Sequence, residues 1–248
     1  QVIVLNNRSI LLTGGARGLG AEIAKSLSEH GAKIIIADID AQEGRRTANK
    51  LGVHFFHVDI EDPNSIEALL KDVAKTFDGK LDGLVNNAAI ATGIGGVSFE
   101  EIDLNTWDKV MRVNVRGTWL MTRAAAPLLR ASGSGRVVNI ASDTAIWGAP
   151  LLLSYVASKG AIISMTKSLA REFGSDQVGI TAVAPGILTT DSTNDVSATR
   201  HSFYNENRAV PGPQAPEDIT ETISFLLTKG ALTLTGQLLT VNNGFVFS

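Results

Sequence analysis

The chain contains no cysteine. Disulfides, thiol nucleophiles and cysteine metal centres are therefore excluded, and the absence fits a reducing compartment. Histidine is scarce: His30, His54, His57 and His201 are scattered without ligand-like spacing, so no metal site is expected. No apolar run approaches the roughly 20 residues of a membrane span. The opening QVIVLNNRS lacks the basic region and long apolar stretch of a secretory leader. A cytoplasmic protein is expected. An excess of one charge is missing too: 22 Lys and Arg stand against 25 Asp and Glu, a net −3 at pH 7. That balance gives no electrostatic case for nucleic acid or an anionic membrane as partner. No linker, repeat or low-complexity stretch interrupts the 248 residues, so one domain spanning 1–248 is expected.

What is present is a regular alternation. Short apolar runs occur at 9–13 (SILLT), 33–38 (KIIIAD), 53–58 (VHFFHV), 81–86 (LDGLVN), 136–141 (RVVNIA), 179–184 (GITAVA) and 237–241 (QLLTV). They are continuously apolar rather than alternating, as strands covered on both faces should be. Between them, helices are predicted near 18–30, 40–50, 62–77, 105–131, 154–174 and 215–228. Asp62-Pro63 supplies an N-cap with proline at the first helical position, and Ala215-Pro216-Glu217-Asp218 opens the last helix similarly. The pattern predicts an α/β fold, a doubly wound parallel sheet with helices on both faces. The stretch 187–214, rich in Thr, Ser, Asn and Asp, reads as irregular. Following a strand at the ligand-binding end of such a sheet, it is a candidate substrate lid or a plain surface loop.

The first strand runs into Thr13-Gly14-Gly15-Ala16-Arg17-Gly18-Leu19-Gly20 and then a helix. Gly14, Gly18 and Gly20 allow a tight turn and close approach of backbone to a pyrophosphate at the helix N-terminus. The spacing is not G-x-G-x-x-G, and a glycine-rich turn alone is also compatible with a turn that binds nothing. Asp38 ends the second strand 18 residues after Gly20, near the position of an acid that bonds ribose hydroxyls. A carboxylate there repels a 2′-phosphate, and Ile39 beside it is not basic, so NAD is favoured over NADP. Arg17 points the other way, because a guanidinium in that loop reaches phosphate. Asp59-Ile60 at the third strand end suits an adenine edge. Asn86-Asn87-Ala88-Ala89 ends the fourth with amides and small side chains, although Asp and Asn also favour simple turns.

Tyr155 and Lys159 are four residues apart and share one helix face. A lysine cation one turn away favours the phenolate over a phenol of ordinary pKa near 10. Ser142, at the end of the fifth apolar run, can hold a carbonyl oxygen beside the phenol. Asn114 sits in the helical pattern MRVNVRG, where asparagine is a poor helix former, so its presence calls for a reason. Separately, each of these residues has an ordinary structural explanation; together with a dinucleotide-type turn they point to proton transfer on an alcohol oxygen.

These motifs together resemble the short-chain dehydrogenase/reductase superfamily, in its short single-domain branch, over essentially the whole chain. The matching pieces are TGGARGLG (13–20), Asp38, Asp59, NNAA (86–89), Asn114, Ser142, YVASK (155–159), PGILTT (185–190) and TGQLLTVNNG (235–244). The resemblance implies a seven-stranded Rossmann fold binding NAD or NADP. It implies Tyr155 as general acid/base, Lys159 on the phenol and the nicotinamide ribose, Ser142 on the substrate oxygen, and Asn114 holding a water linked to Lys159. It also implies that Pro185, Gly186, Leu188 and Thr190 cover the nicotinamide. Two departures concern loop geometry: Ala89 and Asn243 stand where the family usually has glycine.

The expected activity is therefore an NAD-dependent oxidoreductase that interconverts a secondary alcohol and a ketone or aldehyde. Tyr155 takes the hydroxyl proton and Ser142 donates to the substrate oxygen. An NADPH-dependent ketoreductase of acyl or polyketide type and a silent NAD-binding sensor are the alternatives. The expected substrate pocket is mostly apolar, from Ile90, Ala91, Ile94, Thr144, Ile146, Trp147, Leu151, Leu152 and the lid, with Trp147 free to stack on a ring. Arg200 and His201 in the lid would instead suit an anionic substrate. A second apolar face on two long helices (Val110, Met111, Val115, Leu120, Met121; Val156, Ile162, Ile163, Met165) suggests contact between subunits. A homotetramer or homodimer is expected from it.

Overall fold

The computed structural model describes residues 5–194 and 196–247. All seven apolar runs form strands: β1 (Ser9–Thr13), β2 (Lys33–Asp38), β3 (His54–His57), β4 (Gly83–Asn86), β5 (Arg136–Ile140), β6 (Gly179–Pro185) and β7 (Leu238–Val241). They pair in parallel in the order β3-β2-β1-β4-β5-β6-β7. The direction of winding reverses at β1, and the crevice between the carboxyl ends of β1 and β4 is where such sheets take ligands.

The apolar continuity of the strands has its cause in two cores. Leu11, Ile35, Leu84 and Val137 face one layer of packed side chains. Their neighbours Ile10, Leu12, Ile34, Ile36, Val85 and Val138 face the other. With a side-chain period of two, every position of β1, β4, β5 and β6 is buried and no polar alternation survives there. The helices are α1 (Gly18–Glu29), α2 (Ala41–Leu51), α3 (Pro63–Thr76), α4 (Leu104–Val110), α5 (Thr118–Ser132), α6 (Thr144–Trp147), α7 (Leu153–Phe173), α8 (Ala198–Asn207) and α9 (Glu217–Leu226). Asp62 caps α3 by accepting from Asn64 N, with Pro63 behind it. The Asp218 carboxylate reaches back to Ala215 N at 2.8 Å, securing the entry to α9.

Two expectations need correction. The single helix expected at 105–131 is broken: α4 and α5 are joined by a π-helical turn, Met111–Gly117, that contains Asn114. Such turns insert a residue and swing side chains off the regular helical faces. The 187–214 stretch is not irregular throughout, because it folds α8, capped by the Ser197 side chain. Only Tyr204 of α8 is buried, and one buried residue leaves no apolar period in the sequence. Asp195 lies outside the described residues.

The apolar residues assigned to a second helix face divide. Val110, Leu120, Met121 and Ile162 are interior residues of this chain, whereas Met111, Val115, Val156, Ile163 and Met165 stay partly exposed. Among the described residues, no helix is long and apolar enough to cross a membrane.

Candidate active site

Thr13 closes the first strand end. Its hydroxyl oxygen accepts from Asn87 N at 3.2 Å and Ala88 N at 3.1 Å, while Asn87 Nδ2 donates to Gly14 O at 2.9 Å. The glycine turn is thereby pressed on the β4 end. A Cβ on Gly14 would sit 2.7 Å from Ala88 Cα, and one on Gly20 would sit 1.9 Å from Gly14 O. Side chains at either position would push the turn open. No side chain caps the first turn of α1, so its N–H groups remain available to an anion. Leu19 packs into the core beneath, and Gly18 takes a left-handed φ of 52°.

Asp38 Oδ2 accepts from Ala16 N at 3.0 Å and Oδ1 from Asp40 N at 2.9 Å. Each oxygen keeps a lone pair for a further donor, which fits a ribose diol. Arg17 is ion-paired with Asp40, a residue that also caps α2 and that the sequence reading did not single out. Ile39 is 63% exposed. Asp59 Oδ1 accepts from Glu61 N at 2.9 Å, an Asx turn. Ile60 is buried, and Gly117 of the π turn packs on it only because it has no Cβ, which would lie 2.9 Å from the Ile60 side chain.

Ser142, Tyr155 and Lys159 converge at the end of β5 and the start of α7. Ser142 is buried, its hydroxyl 2.8 Å from Thr144 Oγ1. Lys159 is 4% exposed; its Nζ donates to Ile140 O at 2.7 Å and lies 5.6 Å from the Tyr155 ring centroid. Burial pulls the ammonium down to about 8. Tyr155 keeps part of its surface open. In the protein alone burial pushes its phenol up to about 12; the Ser142 hydroxyl pulls it down and the Asp143 carboxylate pushes it up. The depression expected from Lys159 is not among these effects.

Asn114 is occupied by protein. Its Oδ1 accepts from Ile90 N at 2.7 Å, and its Nδ2 donates to Ile90 O and to Ser158 Oγ, both at 3.0 Å. Ser158 in turn donates to Tyr155 O at 2.7 Å. The π turn is thus tied both to the loop after β4 and to α7. Ala89 is not among the residues with positive φ, and Asn243 adopts 55°, so both family departures are conformationally tolerated.

Among the expected pocket residues, Ile94 and Leu152 are partly buried, and Gly95 packs on Leu152: a Cβ on Gly95 would lie 3.1 Å from Leu152 Cδ1. Trp147 is not the free platform expected. Its Nε1 donates to Tyr204 Oη at 2.9 Å, and its ring meets Phe203, Tyr204 and Phe245 at 5.7–6.1 Å between centroids. Arg200 covers it at 5.5 Å. Pro185 and Gly186 run beside Asp143: Asp143 N donates to Pro185 O at 3.0 Å. Leu188 is buried, and its carbonyl accepts from Thr193 Oγ1 at 2.5 Å. Thr190 forms a reciprocal capping box with Thr193.

The sequence reading missed Asp143, Tyr204, Asn242 and Phe245, which cluster behind Ser142. Position beside Ser142 and membership of a pair of tyrosines were the available signals, neither specific.

Residues 14–246 match a family model described as enoyl-(acyl carrier protein) reductase. The chain is 34% identical to 2-(S)-hydroxypropyl-CoM dehydrogenase 3 of Xanthobacter autotrophicus, over 97% of both chains. It is 32% identical to a 3-oxoacyl-(acyl-carrier-protein) reductase of Aquifex aeolicus, over 98% of both. Among solved structures, the 3-ketoacyl-(acyl-carrier-protein) reductase of Brucella melitensis complexed with NADH superimposes with a TM-score of 0.90. That similarity covers 98% of this chain and 100% of the other at 30% identity.

Proposed function

Because this chain belongs to the short-chain dehydrogenase/reductase superfamily, we propose that it is an NAD-dependent oxidoreductase interconverting a secondary alcohol and a ketone. The observation that carries this reading is the convergence of Ser142, Tyr155 and Lys159 beyond the end of β5, at the same carboxyl edge of the parallel sheet as the glycine turn and Asp38. When bound, the nicotinamide supplies the hydride acceptor or donor. Everything else falls to the chain.

Ser142 Oγ donates to the substrate oxygen and fixes it next to the phenol. Tyr155 Oη takes the hydroxyl proton in oxidation and returns it in reduction. Lys159, pinned through one N–H to Ile140 O, keeps two more for acceptors in the cleft. Its ammonium stands 5.6 Å from the Tyr155 ring centroid. Asn114 acts through Ser158 and Ile90, keeping α7 and the loop after β4 in register.

Asp38 binds the ribose diol, and the Asp38–Asp40 pair opposes a 2′-phosphate. The Arg17 guanidinium, the one feature that favours NADP, is turned to Asp40. The substrate is a small apolar or ring-bearing molecule bounded by Ile94, Ile146 and Leu152, under a lid formed by 187–214. The partly exposed Met111, Val115, Val156, Ile163 and Met165 support assembly into a homotetramer or homodimer, and a cytoplasmic location fits the composition.

A second reading draws on the names of the relatives: a reductase of 3-oxoacyl groups carried by a protein. Against it, Arg208 of the lid is buried and leaves the segment without a basic cluster. The deciding experiment follows NAD+ and NADP+ reduction across secondary alcohols, sugars and hydroxy acids, with a 3-oxoacyl thioester and NADPH as the opposite arm. Turnover of alcohols with NAD+ well above NADP+ is expected. Comparable rates with NADP+, or thioester reduction alone, would replace the reading with the second.

A further inference from the structure

Asp143 is fully buried one residue after Ser142. Its Oδ1 accepts from Tyr204 Oη of α8 at 2.7 Å, and its Oδ2 accepts from Asn242 Nδ2 beyond β7 at 3.1 Å. Its main chain is bonded to Pro185 at the end of β6. Tyr204 is 1% exposed and is the buried residue of α8. Its ring stacks on Phe245 with centroids 4.1 Å apart. Its oxygen takes the N–H of Trp147, the last residue of α6, while the first residue of α6, Thr144, is bonded to Ser142. The contacts therefore close a ring: Ser142, Asp143, Tyr204, Trp147, α6, Thr144 and back to Ser142. Gly186 passes against it, since a Cβ there would lie 3.0 Å from Asp143 Oδ2 and 3.3 Å from the Tyr204 ring.

We propose that Asp143 and Tyr204 are positioning residues, a latch that docks α8 and the 187–214 segment onto the turn carrying Ser142. Closure over the substrate and placement of the serine hydroxyl are then one event. Further ties come from Phe203, whose exposed ring meets Trp147 and Phe245, and from Arg208 just after the helix, which donates to Ile187 O and Gly212 O. Arg200 reaches Pro150 O at 3.1 Å from an exposed position, and His201 Nε2 lies 3.2 Å from Thr193 O. A helix with a single buried side chain opens by breaking few interior contacts.

The latch also bears on Tyr155. Facing the Asp143 carboxylate are Tyr204 of α8, Arg208 just after it, Trp147 of α6, Asn242 beyond β7 and Tyr155 of α7. Burial raises Asp143 to about 6, against the bonds from Tyr204 and Asn242 and the Arg208 charge. Above that pH its negative charge holds the Tyr155 proton more tightly.

The kinetic part of the test rests on the dehydrogenase reading; the exchange part does not. Hydrogen–deuterium exchange over 198–207 is compared in the wild-type protein, Tyr204→Phe and Trp147→Phe. Loss of two buried hydrogen bonds in Tyr204→Phe should speed exchange in α8 about tenfold, and loss of one in Trp147→Phe should speed it less, with α7 unchanged. Unchanged exchange in α8 overturns the latch. If Tyr204→Phe unfolds globally, Trp147→Phe decides alone: faster exchange confined to α8 supports the latch, and no change overturns it. In kinetics, Tyr204→Phe should raise KM for the alcohol about tenfold while KM for NAD+ holds within twofold, a split that general destabilisation does not give. Asp143→Asn should move the rising limb of alcohol oxidation to lower pH, whereas Tyr204→Phe, which keeps the charge, should not. Equal limbs in all three proteins would remove Asp143 from any role at Tyr155. A wild-type protein that oxidises no alcohol sinks the dehydrogenase reading and leaves the exchange result standing by itself.

Discussion

The side chain of Asn114 and the main chain of Ile90 bond reciprocally: Oδ1 accepts from Ile90 N at 2.7 Å and Nδ2 donates to Ile90 O at 3.0 Å. An amide side chain here does the work of a strand partner. It satisfies both polar groups of a residue in the loop after β4 that no strand reaches. The π turn makes this geometry possible, because it sets Asn114 between that loop and Ser158 of α7 rather than on a regular helical face.

Asn114→Ala should therefore be costly. It removes three hydrogen bonds and leaves both Ile90 groups partly desolvated and unpaired, a loss of about 2–4 kcal/mol. Urea unfolding at pH 7 measures it through the midpoint. A loss below about 0.5 kcal/mol would mean the loop finds other partners and the reciprocal pair holds little.

Tyr155→Phe deletes one oxygen at the proposed point of proton transfer. General acid–base groups contribute about 10²–10⁴ in rate, so kcat should fall by that order while NAD affinity, measured by fluorescence titration, changes less than about threefold. Retained turnover would take Tyr155 out of the role and shift attention to Ser142 and the solvent.

The sequence made the strands legible, and the reason is physical. With both faces of the sheet covered, each strand is an unbroken apolar run, and turn residues stand between. The same alternation indicated the doubly wound sheet. Legibility fails where structure depends on single residues. α8 buries a single side chain, Tyr204, and one residue carries no period. The π turn at Met111–Gly117 keeps an ordinary helical composition, so only the misfit of Asn114 hinted at it. Asn86 opens the NNAA run, which suited either a ligand or a simple turn, yet its Nδ2 donates to Asn139 Oδ1 at 2.8 Å across the β4–β5 pair and to Thr122. Buried polar ladders of this kind join residues 53 positions apart and leave no local pattern. Arg17 illustrates a third limit: its charge was visible, but its pairing with Asp40 depends on the turn that brings them together.

That pairing yields a cofactor prediction. Asp38→Ala removes the carboxylate that opposes a 2′-phosphate. Asp40→Ala releases Arg17, whose bond to Asp40 is an exposed one and so costs little to break. The double variant should narrow the NAD over NADP preference in kcat/KM by about 100-fold, equivalent to about 2.7 kcal/mol. Asp40→Ala alone should do part of this by improving NADP rather than weakening NAD. Steady-state kinetics with both cofactors separates the two effects. An unchanged preference in the double variant would place selectivity outside this turn.

Lys159 offers a prediction in which stability and function oppose each other. Burial lowers its ammonium from an ordinary value near 10.5 to about 8. Below pH 8 the folded and unfolded chains both carry the charge, and the folded chain bears the full cost of holding it in the interior, about 3 kcal/mol at 1.36 kcal/mol per unit. Between about 8 and 10.5 the folded chain releases the proton while the unfolded chain keeps it. The unfolded state then binds more protons, so stability rises with pH through that window. Lys159→Met keeps the length and removes the charge, at the loss of the bond to Ile140 O, worth about 1 kcal/mol. At pH 7 the variant should be about 1–2 kcal/mol more stable than the wild-type protein and, lacking the ammonium, inactive. By pH 10 the difference should vanish or reverse. Urea unfolding at the two pH values tests this directly. A variant that is less stable at pH 7, or a gap that does not shrink with pH, would show that the ammonium is better compensated than its surroundings imply.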